Sequence, residues 1–305
     1  VRKIRQCRAC GSGVLHEVLN LGTQALTGVF PKSRTEPVAT GPLEVVKCDP
    51  DIGCGLVQLR HTFDLDQLYG MNYGYRSGLN ASMVEHLRAN VAKILALNVL
   101  EDDDLVIDIG SNDGTTLAAY PAGQYSLVGI DPTGRKFSRF YPPHAKLIPE
   151  FFSADLVAKE EGGRRAKVIT SFSMFYDLED PTRFMREIEA CLDGEGVWMF
   201  EQSYLPAMLR TNSFDTVCHE HLEFYCLKQI CWMADRADLK VVDVAFNDVN
   251  GGSFSVLACK KSSQRKPNRD RIDHVLADET ASGLDGLEIW EGFRERIRIA
   301  KEQTL

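Results

Sequence analysis

The chain has 305 residues, 44% of them hydrophobic and 26% charged, with a formal net charge of −8. That is enough apolar sequence for two or three compact units, and the acidic balance disfavours a nucleic-acid surface, which needs cations against the phosphates. No apolar run approaches a membrane span, and the charged start Val1-Arg-Lys-Ile-Arg5 lacks the hydrophobic stretch of a signal peptide, so a cytoplasmic protein is expected.

The first signal in chain order is cysteine. Nine cysteines, odd in number and unevenly clustered, fit metal binding plus scattered buried thiols better than a disulfide framework. Cys7-Arg-Ala-Cys10-Gly and Cys48-Asp-Pro-Asp-Ile-Gly-Cys54-Gly form two knuckles, each followed by a glycine that permits a tight turn. Four thiolates suit tetrahedral zinc and leave no open coordination position, so Cys7, Cys10, Cys48 and Cys54 are expected to hold a structural metal in a domain of residues 1–60. Leu43 to Lys47 and Leu56 to Leu59 read as short strands flanking the second knuckle.

Residues 61–98 read as a linker and lid helix. Tyr69, Tyr73 and Tyr75 crowd among Gly70, Gly74 and Gly78, either as core filler or as a substrate-contacting lid, with Tyr73, Tyr75 and Ser77 the substrate-side candidates. A helix follows from about Asn80 to Leu97, with Met83, Leu87, Val91, Ile94 and Leu95 on its apolar face.

From residue 99 to 260 strands alternate with helices, which predicts a doubly wound α/β domain. Leu105 to Ile109 reads as a strand buried on both faces. Gly110 and Gly114 then bend the chain toward a helix expected near Thr115, whose free amides would face the loop. Gly110-Ser111-Asn112-Asp113-Gly114 does not meet G-x-G-x-x-G, so a cofactor without a pyrophosphate is expected. Asp108 and Asp113 would repel phosphates but suit the amino and sulfonium groups of S-adenosylmethionine. Ser126-Leu-Val-Gly-Ile-Asp131 ends on an acid placed to accept from ribose hydroxyls, with Pro132 following. Lys167 to Ser171 and Val197 to Phe200 read as further strands, with a helix through Phe184 to Cys191 between them. Ser173 and Tyr176 follow the carboxyl end of a strand, where such sheets bind ligands.

Glu201-Gln-Ser-Tyr-Leu-Pro206 leaves its strand, and Cys218-His-Glu-His-Leu-Glu-Phe-Tyr225 follows a loop. His219 and His221 are two apart, not four, so this is no H-E-x-x-H zinc helix, and a second metal site from Cys218, His219, His221 and Cys226 ranks below catalysis. Cys226 stands where a serine would be the expected N-cap of a helix from Leu227 to Arg236. After a linker from Lys260 to Arg271, a last helix from about Leu287 to Leu305 carries the stripe Trp290, Phe293 and Ile297. Nothing obvious in the preceding sequence requires that stripe, so a fragment with a missing carboxy-terminal domain is expected.

Gly110-Ser-Asn-Asp-Gly114, the paired cysteines, Glu201-Gln-Ser-Tyr-Leu205, His219-Glu-His221 and Asn250-Gly-Gly-Ser-Phe254 occur in the order seen in the sugar C-methyltransferases of branched deoxysugar biosynthesis, which the chain resembles over nearly its whole length. The resemblance implies a zinc-binding domain, a Rossmann-like methyltransferase domain and, over residues 261–305, the start of a lobe that binds the nucleotide end of the sugar. It implies a nucleotide-linked 4-keto-6-deoxyhexose as substrate, His221 as base assisted by Glu220, and His219, Asn250 and Ser253 on the substrate side. The matching motif often has a tyrosine where this chain has Cys218. Methylating carbon requires removal of a proton beside a ketone, and Tyr73, Tyr75 or the turn from Asn250 to Ser253 could donate to the resulting oxyanion. The competing readings are a small-molecule O- or N-methyltransferase, a non-catalytic cofactor-binding scaffold and a nicotinamide-dependent oxidoreductase.

Overall fold

The computed structural model describes residues 1–27, 31, 33–64, 68 and 74–304. Its amino-terminal unit holds β1 (Arg2–Lys3), β2 (Leu15–Ala25), β3 (Thr40–Cys48), β4 (Val57–Leu59) and β5 (His61–Thr62). β2, β3 and β4 form an antiparallel meander, and β1 pairs with β5. Helix α1 (Ala81–Ala96) starts where Asn80 Oδ1 accepts from Ser82 N at 3.0 Å, and buries Leu87, Asn90, Val91 and Ile94.

The second unit runs β6 (Leu105–Ile109), β7 (Ser126–Ile130), α2 (Gly134–Phe137), β8 (Ala145–Ile148), α3 (Ala154–Glu160), β9 (Ala166–Phe172), α4 (Pro181–Cys191) and β10 (Leu192–Ser203). α5 (Leu205–Thr211), β11 (Glu223–Phe224), α6 (Leu227–Arg236), β12 (Leu239–Asn247) and β13 (Ser253–Lys260) complete it, and α7 (Arg269–Ala281) and α8 (Ile289–Thr304) follow. Its sheet is ordered β12-β13-β10-β9-β6-β7-β8, parallel from β10 through β8, with β13 antiparallel to both its neighbours. β6 lies between β7 and β9, so consecutive connections leave it in opposite directions. Such a reversal opens a crevice at the carboxyl ends of the strands. The five residues of β6 are all buried, as expected for a central parallel strand. No helix among the described residues is long and apolar enough to cross a membrane.

Three sequence expectations are corrected. The α-helix expected near Thr115 is only a 3-10 turn, Leu117–Ala119. Tyr120 leaves it in extended conformation, as the residue before Pro121 must to avoid the proline ring. α7 occupies ground read partly as linker and partly left unassigned. Its buried residues are only Ile272, Val275 and Glu279, too sparse for an apolar stripe to be visible. Glu279 nevertheless supplies the cap that Cys226 lacks, accepting from Leu227 N at 2.6 Å and Lys228 N at 3.0 Å at the start of α6.

The third correction concerns the stripe of α8. Trp290, Phe293 and Ile297 are buried with Val18, Val45 and Leu59 of the amino-terminal sheet and Leu205 and Met208 of α5. β11 likewise extends the amino-terminal sheet by pairing with β4. The metal-bearing unit therefore shares its core with segments far along the chain. Lys47 fastens the same junction: it is 1% exposed, and its Nζ donates to the carbonyls of Leu284, Asp285 and Gly286 at 2.6, 2.7 and 3.1 Å. Lys47→Met keeps the volume and strands these carbonyls, so it is expected to cost about 1–3 kcal/mol, measured as a lower urea midpoint with unchanged slope.

Candidate active site and metal centre

The two knuckles fold against each other. Cys7 Sγ lies 3.6 Å from Cys54 Sγ, and Cys10 Sγ 3.5 Å from Cys48 Sγ, with all four sulfurs within 4.8 Å of one another. Zinc–sulfur bonds of about 2.3 Å require a tetrahedron edge of about 3.8 Å, so the donor set fits a four-thiolate zinc site. Gly11 and Gly55, which follow the second cysteine of each knuckle, take φ of 74° and 73°. A Cβ on Gly53 would stand 2.4 Å from Cys48 Sγ. Gln58 Nε2 donates to Cys7 Sγ at 3.2 Å, an outer hydrogen bond that orients a thiolate ligand.

A cleft of about 380 Å³ opens at the carboxyl ends of β6, β7 and β9, within the size range of small-molecule sites. Asp108, Gly110, Ser111, Asn112, Asp131, Pro132 and Ser173, expected on the cofactor side, line it together with Tyr75 and Ser77, expected on the substrate side. Gly110 has φ of 71°, and a Cβ there would meet Met174 at 2.9 Å, so this bend admits little but glycine.

Asp108 pairs across the sheet with Thr170, whose hydroxyl donates to Oδ1 at 2.6 Å. Its Oδ2 is buried without a hydrogen-bond partner, and burial pushes this carboxyl up to about 7. A carboxyl with one unpartnered oxygen on the cleft wall fits the cationic groups of S-adenosylmethionine. Asp131 is anchored differently: Oδ1 accepts from Thr133 N and Oγ1, both at 2.6 Å, and Oδ2 from Asn112 N at 2.8 Å. Of about four acceptor positions on a carboxylate one remains, enough for one hydroxyl rather than the pair expected. Phe151 and Phe152 add flat apolar walls that the sequence reading did not single out.

Other expected site residues lie elsewhere. Asp113 turns to the lid, accepting from Gly78 N at 3.0 Å and pairing with Arg76 at 3.4 Å, and does not line the cleft. Gly114 packs under Tyr141 and Pro142 and serves the turn, not the cofactor. Tyr176 also lies off the cleft lining, its ring centroid 4.3 Å from that of His221. His219 is fully buried, its Nε2 directed to Gly41 O at 3.1 Å while Nδ1 accepts from Thr27 N at 3.4 Å. Both nitrogens are committed to backbone, so it is a core histidine and no substrate contact. Ser253 lines a second cavity with Tyr204, Arg210 and Phe246, and its hydroxyl donates to Val249 O at 2.8 Å, while Asn250 is an exposed left-handed residue at φ 54° outside both linings. Tyr73 lies outside the described residues.

His221 does not line the cleft but sits beside it, half-buried. Leu222 N donates to Tyr176 O at 2.7 Å, fastening the histidine loop to the segment whose Ser173, Met174 and Asp177 do line it. His221 Nδ1 is 2.8 Å from Thr216 O. A carbonyl only accepts, so in the neutral ring Nδ1 carries the hydrogen and Nε2 the lone pair. Glu220 next to it is pushed up by burial, against the pull of His221. Cys218, where a hydroxyl was expected by resemblance, points its thiol at Glu220 Oε2 over 3.9 Å. His86 and Glu201, which also line the cleft, were missed as site residues. The one available signal was an acid at the end of the apolar strand Val197 to Phe200.

The chain matches the family models of a zinc binding domain over residues 7–69, a methyltransferase domain over 80–244 and a C-methyltransferase C-terminal domain over 248–305. It is 30% identical over 305 residues to C-methyltransferase NovU of Streptomyces niveus, an alignment spanning 98% of this chain and 71% of that protein. The chain belongs to the C-methyltransferase family. It is an S-adenosylmethionine-dependent enzyme with a zinc-binding amino-terminal domain. Similar solved structures include an O-methyltransferase family protein from Burkholderia thailandensis, 18% identical, covering 66% of this chain and 64% of that one at a TM-score of 0.47. Another is an S-adenosylmethionine-dependent methyltransferase from Clostridium acetobutylicum, 12% identical, covering 58% of this chain and 92% of that one at 0.44.

With Asp108 as a cofactor contact, its raised carboxyl predicts a pH signature in cofactor affinity. As pH falls through about 7 the carboxylate protonates and its attraction for a cation is lost. The Kd for S-adenosylmethionine is therefore expected to rise toward about tenfold per unit below that point and to be flat in Asp108→Asn. Calorimetry across the range checks this, and a flat wild-type profile would remove Asp108 from the role.

Proposed function

We propose that this enzyme methylates the carbon alpha to the keto group of a nucleotide-linked 4-keto-6-deoxyhexose, with His221 as the base and Glu220 assisting it. The observation that carries the reading is the tautomer of His221, whose Nδ1 is held at Thr216 O and whose Nε2 lone pair is thereby left free, on a loop tied to the segment that lines the donor cleft. The ordered set of motifs shared with sugar C-methyltransferases supports the substrate class. A reducing cytoplasm is the proposed setting, since none of the nine cysteines is in a disulfide.

S-adenosylmethionine supplies an electrophilic methyl group on a sulfonium. Asp108 would hold its amino acid end, Asp131 a ribose hydroxyl, and Phe151 and Phe152 would shield the base. The lid residues Tyr75 and Ser77 close one side: Ser77 N donates to Asn112 Oδ1 at 3.0 Å, and Asn112 Nδ2 to Tyr75 O at 3.2 Å. His221 Nε2 would take the proton alpha to the carbonyl as the electron pair moves onto the carbonyl oxygen; that pair would then return to form the carbon–methyl bond as the methyl's bond to sulfur breaks, its electrons staying on sulfur. Glu220 stabilises the imidazolium so formed. The second cavity would take the nucleotide end, with the Tyr204–Phe246 ring pair, centroids 4.9 Å apart, for the base and Arg210 for phosphate, beside Ser253 and the turn at Asn250. Glu201 of the donor cleft accepts from Asn247 of this cavity at 2.9 Å, so the two share a wall.

Solvent exchange tests the chemistry. With S-adenosylhomocysteine bound, the enzyme is expected to wash deuterium from the alpha carbon of the keto sugar without methyl transfer. An enzyme that methylates the substrate with no such exchange and places the methyl on oxygen or nitrogen has a different reaction.

A further inference from the structure

One wall of the donor cleft carries a polar pair with no role so far. His86 of α1 and Glu201 at the end of β10 both line the cleft, and Nε2 lies 2.5 Å from Oε1. The Glu201 side chain is 2% exposed. Its Oε2 accepts from Asn90 at 3.4 Å, Asn247 at 2.9 Å and the Ser255 hydroxyl. Burial alone would raise this carboxyl, but the hydrogen bonds from His86 and Ser255 outweigh it and hold the group below its ordinary value. Glu201 is thus a buried carboxylate whose nearest basic side chain, among the described residues, is an imidazole rather than a lysine or arginine.

His86 on the cleft wall and His221 beside the cleft have opposite partners. His221 faces a backbone carbonyl and offers a lone pair. His86 faces a buried carboxylate, which only accepts, so Nε2 carries a hydrogen toward Glu201; Nδ1 makes no hydrogen bond to a described residue, and a ring paired to Glu201 as the imidazolium donates from it as well. Groups of one kind set in contrasting environments divide the acid and base roles of a reaction between them. The donors expected from the sequence serve less well: the Ser253 hydroxyl is spent on Val249 O, and Tyr75 is 50% exposed.

We propose that His86, paired as an imidazolium with Glu201, is the hydrogen-bond donor to the acceptor's developing oxyanion. This rests on the enolate reading above. When the alpha C–H bond breaks, the proton goes to the base and the electron pair to the carbonyl oxygen, which His86 Nδ1–H stabilises without giving up its proton. The carbonyl re-forms as the carbon–methyl bond is made and the sulfur–methyl bond breaks, leaving neutral S-adenosylhomocysteine. Glu201 is the positioning residue, fixing the ring by Nε2.

The test uses the full chain with thymidine-diphosphate-linked 4-keto-6-deoxyglucose deuterated alpha to the carbonyl. His86→Leu is expected to lower kcat and deuterium washout together by about a hundredfold or more, with His86→Gln, which retains a neutral N–H, recovering about tenfold. The Kd for S-adenosylmethionine should stay within about threefold in both variants, and Glu201→Gln should fall between wild type and His86→Leu. Three results overturn the proposal: kcat and washout near wild type in His86→Leu, loss of kcat with washout intact, or loss of cofactor affinity by the same factor as kcat. Wild-type enzyme with neither washout nor carbon-methylated product would instead defeat the enolate reading, and this assignment with it.

Discussion

His221→Ala is expected to lower kcat by about 10²–10⁴-fold, the usual worth of a positioned general base, while S-adenosylmethionine binds as it does to wild type. The separation follows from the fold. The proposed cofactor contacts come from the ends of β6, β7 and β9, whereas His221 belongs to the loop between α5 and β11, off the cleft lining, with its ring against Tyr176 and Leu222 N bonded to the Tyr176 carbonyl. Removing the imidazole deletes the Nε2 lone pair and leaves Asp108, Asp131 and Gly110 in place. Glu220→Gln should cost far less, because Thr216 still fixes the tautomer and only the charge beside the imidazolium is lost. Steady-state kinetics and calorimetry on the same preparations check both. Near-wild-type turnover in His221→Ala would remove the residue from the role, and equal losses of turnover and cofactor affinity would make it structural.

The second large effect is on folding. Extracting zinc, or replacing Cys54 by serine, is expected to unfold the amino-terminal unit and expose the core it shares with α5 and α8. Structural zinc contributes about 10–16 kcal/mol in small domains, comparable with the whole stability of a typical domain at about 5–15 kcal/mol. β2 begins just after the first knuckle and β3 ends at the second, and without the metal four thiolates converge within 4.8 Å with no cation between them. Because Val45, Leu59 and Lys47 of this unit pack against or bond to the segment from Leu284 through Ile297, the damage should extend to the carboxy-terminal helices. One equivalent of zinc per chain, lost melting cooperativity on chelation and recovery on adding zinc back are the expected results. A metal-free chain with the same melting curve would rule out the structural role.

Much of the donor site was legible because local chemistry fixes it. An apolar run ending in Gly110 must turn, an acid closing Ser126 to Asp131 must sit at a strand tip, and C-x2-C with C-x5-C must bring thiols together. The partnership of the sulfurs was not legible: the short contacts run between knuckles, Cys7 with Cys54 and Cys10 with Cys48, which only the packing of β3 against the first loop decides. His219 and His221 look alike in sequence, yet one is walled in by Phe63 and the backbone of Thr27 and Gly41, and the other is half-buried against Tyr176 with only Nδ1 engaged, at Thr216 O. His86 and Glu201 are 115 positions apart, on a helix and a strand with no local reason to meet. Asp113 misled because its neighbour in space, the amide of Gly78, comes from the lid segment. α8 looked orphaned since its partners lie at the far end of the chain.

The central claim is that the methyl goes to carbon beside a ketone. Turnover with carbon-13-labelled S-adenosylmethionine and a nucleotide-linked 4-keto-6-deoxyhexose, followed by two-dimensional NMR of the product, tests it most directly. The labelled methyl should couple to the sugar carbon alpha to the carbonyl. A methyl signal at the shift of a methoxy or methylamino group would contradict the account.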